Sequence, residues 1–140
     1  MSVALVPELY VSDLAASLHF YNALGFCVRY ARPEEGFAFL DRSGAELMIE
    51  EPRGRVWLTG PLEHPFGRGI NLQISVDNIT TVLGACPTGT PVILPCEDRT
   101  YRRAFDTITV RQFVVADPDG YLLRFSEVLA ITPAPPPATP

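Results

Sequence analysis

At 140 residues, the chain has the length of one domain that can bury a core without disulfides or a structural metal. Its 47% hydrophobic and 19% charged residues are typical of a folded globular protein. A formal net charge of −5 gives no electrostatic support for binding nucleic acid or an anionic membrane, so we expect neither as a partner, whereas it suits a cationic ligand.

The first half of the chain predicts the order βαβββ. An apolar segment, Val3 to Val11, precedes Ser12-Asp13 and apolar residues at helical spacing, which indicates a strand, a helix cap and a helix. Gly25 is expected to end this helix in the left-handed conformation. Turn sequences then separate three predicted strands, Phe26 to Tyr30, Phe37 to Leu40 and Ala45 to Glu50.

The second half predicts the same order. Ile70 to Val76 is the expected strand, Asp77 the expected cap, and Asn78 to about Ala85 a short helix. The remaining predictions are a short strand at Pro91 to Leu94, a long polar loop at Glu97 to Thr109, a strand at Arg111 to Val115, a turn at Asp117 to Gly120 and a last strand at Tyr121 to Glu127.

The two halves align as a repeat. A spacing of 65 residues pairs Leu9 with Ile74, Leu14 with Ile79 and Leu18 with Leu83; a spacing of 76 pairs Gly44 with Gly120, Leu47 with Leu123 and Ile49 with Phe125, and brings Phe39 near Phe113. We therefore predict one α+β domain, residues 1–130, with tandem βαβββ modules at about 1–52 and 69–130. Their mixed sheets should cup around a cavity; residues 53–68 form a linking loop and 131–140 a Pro-rich tail.

The cysteines and histidines restrict the compartment and the chemistry. Cys27, Cys86 and Cys96 lie in no CxxC motif or Cys/His cluster, and nothing resembles a secretory signal, so we expect a cytoplasmic protein. Because His19 and His64 are the only histidines, a histidine-rich metal site cannot be assembled within one chain.

Four short motifs carry a family resemblance over nearly all of Val3 to Val128. They are Val11-Ser12-Asp13-Leu14, Ser17-Leu18-x-Phe20-Tyr21, Leu24-Gly25-Phe26 and Asp117-Pro118-Asp119-Gly120-Tyr121-Leu122-Leu123. Together they resemble the vicinal oxygen chelate superfamily, which includes glyoxalase I, extradiol dioxygenases, metal-dependent fosfomycin-resistance transferases and bleomycin-resistance proteins. The resemblance implies two βαβββ modules in cupped mixed sheets, commonly in a dimer with sites near the subunit boundary.

The resemblance also identifies the positions at which catalytic members hold a divalent ion with His, Gln or Glu. On the first strands these positions fall on Val6 and Asn71, and on the last strands on Met48 and Arg124. Val offers no donor, Met is a weak soft ligand, and an Arg cation repels a metal. We therefore expect no metal, no cofactor and no metal-dependent catalysis.

Polar residues on strands of core pattern are the first candidates for ligand contact. Asn71 and Gln73 share one strand face, and Arg124 projects from the last strand. Burying such groups without a partner costs about 1 to 3 kcal/mol, so either a ligand or a mutual structural network must satisfy them. Both interpretations remain open.

Aromatic side chains are the second group of candidates, because flat rings suit flat ligands. They are Phe37, Phe39, Trp57, Tyr101 and Phe113. Phe39 and Phe113 also suit a plain core role, whereas Trp57 and Tyr101, expected on long loops, are the better ligand candidates.

Among the superfamily's branches, the bleomycin-resistance proteins resemble this chain in Pro7, in their lack of metal ligands and in their acidity. That branch implies a homodimer that exchanges N-terminal strands and sequesters a cationic glycopeptide antibiotic, giving resistance through binding without chemistry. We predict this function. The alternatives are a metal-dependent glyoxalase- or dioxygenase-like lyase or oxidoreductase, a metal-independent isomerase, and a binder of an endogenous metabolite.

Overall fold

The first half of the chain forms a four-stranded mixed sheet, here called sheet A, in a computed structural model that describes residues 3–134. Its elements are β1 (Glu8–Tyr10), α1 (Leu14–Ala23), β2 (Cys27–Arg32), a 3₁₀ turn (Pro33–Glu35), β3 (Phe37–Arg42) and β4 (Ala45–Glu50). The strand order is β1-β4-β3-β2, with β1 parallel to β4 and the other pairs antiparallel.

The second half repeats this topology in sheet B. Its elements are β5 (Asn71–Ser75), α2 (Ile79–Ala85), β6 (Val92–Arg102), β7 (Asp106–Ala116) and β8 (Leu122–Pro133). The order is β5-β8-β7-β6, again with the first strand parallel to the last. The predicted α+β fold of two tandem βαβββ modules is confirmed.

Both helices begin at side-chain caps. The Asp13 carboxylate accepts hydrogen bonds from the amides of Ala15 and Ala16, as expected for the first helix. The cap predicted for the second helix was wrong by one residue, because Asn78 and not Asp77 is the N-cap. Asn78 has the extended conformation that a cap requires, and its side-chain oxygen accepts from the Thr81 amide at 3.1 Å.

A second cap comes from the last strand of each sheet and shows the duplication directly. Glu51, just after β4, accepts a hydrogen bond from the Leu14 amide at 2.8 Å, and Glu127 in β8 accepts one from the Ile79 amide at 2.8 Å. Leu14 and Ile79 are separated by the spacing of 65, and the two glutamates by the spacing of 76. The Leu14 bond, followed by that with Arg53, lowers the pKa of Glu51.

The predicted polar loop at Glu97 to Thr109 was wrong, because most of this segment is a long hairpin of β6 and β7. Polar pairs across the two strands stabilise it: Arg111 is bonded to Asp98 at 2.8 Å, and the Thr100 and Thr109 hydroxyls lie 2.8 Å apart. β8 follows β7 as far as Pro133 and so occupies the start of the predicted tail. Residues 135–140 of that tail lie outside the described residues.

One continuous apolar core receives side chains from both sheets and both helices. Its fully buried large members are Tyr21, Leu24, Phe26, Leu40, Ile49, Ile79, Phe113, Leu123 and Phe125. Strand residues alternate between this core and the opposite face, so each sheet keeps one face free of its own helix. Within residues 3–134, no helix is long and apolar enough to span a bilayer.

Two buried carboxylates join the modules. The Tyr21 hydroxyl on α1 donates to Asp117 at 2.6 Å, and the Ser12 hydroxyl donates to Asp119 at 2.6 Å. Asp117 also accepts from the amides of Asp119 and Tyr121, each at 2.9 Å. All five residues belong to the motifs that carry the family resemblance, so those motifs serve the contact between modules.

The linking loop is fixed to both modules beside this network. In the loop, the Trp57 amide donates to the Tyr10 hydroxyl at 2.9 Å and the Phe66 amide donates to the Asp119 carbonyl at 2.7 Å. The Tyr121 hydroxyl joins the modules directly by donating to the Tyr10 carbonyl at 2.9 Å. Gly120, with φ of 95°, lies so close to Pro65 that a Cβ atom would come within 2.8 Å of the Pro65 Cα. This turn therefore has no room for a larger residue.

Candidate functional site

The face of sheet A opposite the core carries an aromatic cluster. Tyr30 stacks on Phe39 with ring centroids 5.1 Å apart and lies 6.0 Å from Phe37. The two phenylalanines are buried, while Tyr30 is 50% exposed. The guanidinium groups of Arg32 and Arg29 lie 4.0 Å and 5.4 Å from the ring centroids of Phe37 and Phe39. The outer ring, Tyr30, was not predicted as a site residue.

Two carboxylates flank the cluster on the same face. β1 and β4 are parallel neighbours in which Glu8 pairs with Met48 and Tyr10 pairs with Glu50, so Glu8 and Glu50 point to the same side. Burial, followed by the nearby charge of Glu8 and a hydrogen bond to it, raises the pKa of Glu50. Two like charges held together in this way favour a bound cation.

Trp57 lies near this face, on the linking loop. Its backbone amide donates to the Tyr10 hydroxyl at 2.9 Å, which ties the loop to β1. The indole is 67% exposed, and the Arg55 guanidinium lies 5.0 Å from its ring centroid. Phe37, Phe39 and Trp57 therefore belong to the sheet A side of the candidate site.

Sheet B carries a separate cavity of about 360 Å³ on its own free face. Its walls include Gln73, Tyr101, Ile108, Val110, Gln112 and Arg124. Three of these residues, Gln73, Tyr101 and Arg124, were predicted as ligand contacts. Tyr101 reaches the cavity from strand β6, not from the loop that the sequence predicted.

Gln112, which the sequence analysis missed, organises this cavity. It is only 3% exposed, and its side-chain amide donates to the Tyr101 hydroxyl at 2.7 Å and to Glu97 at 3.2 Å. The available sequence signal was a polar glutamine directly before Phe113 in a strand of largely apolar pattern.

Arg124 and Gln73 are bonded to each other. The Arg124 Nη2 donates to the Gln73 Oε1 at 2.6 Å, which supports the structural-network interpretation for this pair. Asn71 lies exposed on the same face of β5, two residues before Gln73, and does not line the cavity.

Phe113 lies in the core and is not exposed. It pairs with Phe125 in β8 as Ala38 pairs with Ile49 in β4, so its counterpart in sheet A is Ala38 rather than Phe39. Phe39, which the spacing brought near Phe113, is one residue away from this counterpart, and a one-residue difference moves a strand side chain to the other face.

The four positions at which catalytic members of the resembled superfamily hold a metal do not fit one here. Met48 and Arg124 replace hard ligands on the last strands, and Arg124 is a cation bonded to Gln73. Within residues 3–134, no three His, Cys, Asp or Glu side chains are grouped so as to hold a metal ion.

The most strongly perturbed titratable groups lie between the modules rather than in the cavity. Burial raises the pKa of Tyr21 well above its ordinary value, raises that of Tyr121 to about 12, and raises that of Asp117. Burial also raises the pKa of the Cys86 thiol, which disfavours the reactive thiolate. These shifts accompany structural contacts and do not mark an acid and a base at the candidate site.

Comparison with solved structures finds similar proteins over most of the chain. A glyoxalase/bleomycin resistance protein/dioxygenase superfamily member from Vibrio splendidus 12B01 is 35% identical, over 89% of this chain and 97% of its own, with a TM-score of 0.41. TioX from Micromonospora sp. ML1 is 18% identical over 91% of this chain and 98% of its own, with a TM-score of 0.66.

A third similar structure is a glyoxalase/bleomycin resistance protein/dioxygenase from Alicyclobacillus acidocaldarius. It is 19% identical over 91% of this chain and 93% of its own, with a TM-score of 0.56. No protein-family model matches the chain, and no curated protein matches it. The TioX and Alicyclobacillus structures support the fold.

Proposed function

We propose that the chain, which shares the fold of the glyoxalase/bleomycin resistance protein/dioxygenase from Alicyclobacillus acidocaldarius, is a member of that superfamily and sequesters a small amphiphilic cation without chemical turnover. A planar cationic antibiotic of the bleomycin type is the ligand we expect, which would make the protein a resistance factor. The aromatic cluster of Tyr30, Phe37 and Phe39 beside the paired carboxylates of Glu8 and Glu50 carries this proposal.

The chemistry of this surface suits such a ligand for two reasons. The exposed ring of Tyr30 offers a flat surface for stacking, and the phenylalanine beneath holds it in place. A cation beside Glu8 and Glu50 would relieve the repulsion between the two carboxylates, and this relief would contribute to the free energy of binding.

Binding without a metal is part of the proposal. The donor set at the superfamily's metal positions, with Met48 and Arg124 on the last strands, does not suit a divalent ion. A metal-dependent lyase or dioxygenase would therefore need ligands from other positions.

We also propose that the protein acts as a homodimer in the cytoplasm. Exposed apolar side chains at the ends of the strands, including Leu5, Phe105 and Ile131, would be covered by a second copy. The cysteines Cys27, Cys86 and Cys96 are all free thiols, as is usual in a reducing compartment.

Calorimetric titration of chelator-treated protein with metal-free bleomycin tests the proposal. We expect saturable binding near one ligand per subunit, with no change in the bleomycin recovered. Tyr30→Ala should weaken binding about tenfold through lost stacking, and Glu50→Gln about fivefold. Glu63→Gln removes the same charge from an exposed loop position and should leave affinity unchanged. Absence of binding, or equal effects of Glu50→Gln and Glu63→Gln, would contradict the proposal.

The pH dependence of that binding is a separate prediction. Only the ionised Glu50 carboxylate attracts a cation, and the pKa of Glu50 is raised. The affinity should therefore be constant at pH values above the pKa of Glu50. As the pH is lowered, the affinity should begin to fall at a higher pH than it would for a glutamate of ordinary pKa. Titrations in buffers of different ionisation enthalpy should show proton release on binding near that pKa, and Glu50→Gln should remove the release.

A further inference from the structure

We infer that the cavity of sheet B is an anion site, which binds a carboxylate carrying a small apolar or aromatic group through Arg124 and Tyr101. This inference goes beyond the proposed function, because it concerns the other sheet and a ligand of opposite charge. It neither requires nor excludes binding of a cation on sheet A.

The first step concerns the charge of Arg124. Its Nε is buried and has no hydrogen-bond partner within residues 3–134, and its Nη2 donates to the neutral amide of Gln73. Arg103, which lines the same cavity, differs in having its charge paired, because it is bonded to Asp106 at 2.5 and 2.7 Å. No carboxylate of the described chain forms a salt bridge with Arg124, so its positive charge is not neutralised at the cavity that it lines.

The second step concerns Tyr101, which supplies another donor. Its hydroxyl oxygen already accepts a hydrogen bond from the Gln112 amide at 2.7 Å. Since a hydroxyl carries one proton, the Tyr101 O–H is left to donate to an acceptor. Arg124 and Tyr101 line the same cavity, so both donors suit an anionic oxygen.

The third step selects the class of anion. A guanidinium group matches the planar geometry of a carboxylate. A phosphate dianion would bring about two negative charges, whereas Arg124 is the unpaired cation on which this site rests. Ile108 and Val110 supply apolar wall, and the volume of about 360 Å³ accommodates a small organic acid.

Benzoate is a suitable probe because two control compounds have nearly the same shape but a different charge. Benzamide is neutral and benzamidine is positively charged. Calorimetry and NMR of the arginine Nε–H groups would follow each titration of the full chain. We expect saturable benzoate binding that shifts the Arg124 Nε–H resonance, and at least about tenfold weaker binding of benzamide and benzamidine at this site.

Variants test the residue assignment. Arg124→Gln should weaken benzoate binding at least about tenfold, and Tyr101→Phe about threefold. Arg111→Gln is the matched control: it removes a cation from the opposite face of β7 and should leave benzoate binding unchanged. Tyr30→Ala should also leave it unchanged, which separates this result from the test with bleomycin.

Three outcomes would overturn the inference: no saturable benzoate binding, equal binding of benzamide at this cavity, or equal losses in Arg124→Gln and Arg111→Gln. If Arg124→Gln does not fold, the titration of the unaltered protein decides, because benzoate must then shift the Nε–H resonance of Arg124 and not that of Arg111.

Discussion

Replacing Gly120 by alanine is expected to lower the free energy of unfolding by about 3 kcal/mol, a loss of roughly 10 °C in Tm. The new Cβ would lie 2.5 Å from the Pro65 Cβ and 2.8 Å from its backbone Cα, so the linking loop would have to move. Alanine would also be strained at the positive φ of 95°. Urea unfolding followed by circular dichroism measures the loss.

Gly44 provides a matched control within the same molecule. It occupies the equivalent turn of the first module, at the spacing of 76, with a φ of 92°, but an added Cβ would meet nothing within 4 Å. Gly44→Ala should therefore cost only the conformational penalty, about 1 kcal/mol. Equal losses in the two variants would show that the contact with Pro65 contributes nothing.

Replacing Asp117 by alanine should cost about 3 to 4 kcal/mol, because it removes the acceptor for the buried Tyr21 hydroxyl and for two backbone amides. Asp117→Asn should cost less than about 1 kcal/mol, since the amide oxygen still accepts from both backbone groups and its N–H₂ faces the Tyr21 hydroxyl. Chemical unfolding of both variants at one pH makes the comparison. Equal losses would contradict this account of the network.

The same pair of proteins gives a pH dependence of defined sign. Because burial raises the pKa of Asp117 in the folded state, ionisation of this group disfavours folding. The stability of the native protein relative to Asp117→Asn should therefore fall as pH rises from the unfolded-state pKa through the folded-state pKa, and stay constant above it. A difference that rises with pH across this window would argue against a raised pKa.

The fold was predictable because the duplicated pattern specifies each element twice. Leu9 and Ile74, and Ile49 and Phe125, occupy equivalent core positions, as their spacing predicted. The hairpin of β6 and β7 was missed because its outer part extends beyond the core and lacks apolar alternation. Cross-strand pairs such as Arg111 with Asp98 stabilise that part, and such pairs become visible only when the register is known.

The candidate site was less predictable, since it depends on which strand positions become neighbours. Tyr30 could not be placed over Phe39 from the sequence, because a bulge between Val28 and Tyr30 shifts the register of β2. Glu8 and Glu50 are far apart in sequence and meet only through parallel pairing of β1 with β4. Gln73 and Arg124 could be chosen as candidates from the sequence because their polarity interrupts an apolar strand pattern.

The glutamate caps have a consequence for how two copies of this chain could associate. In the described chain, every strand pair and both of these caps are formed within one module, so a module stays intact when it changes neighbours. The bonds between modules, which include Ser12 to Asp119, Tyr21 to Asp117 and Tyr121 to Tyr10, would form in the same way with a second copy. Domain swapping through the linking loop would thus preserve every native contact except those of the loop itself.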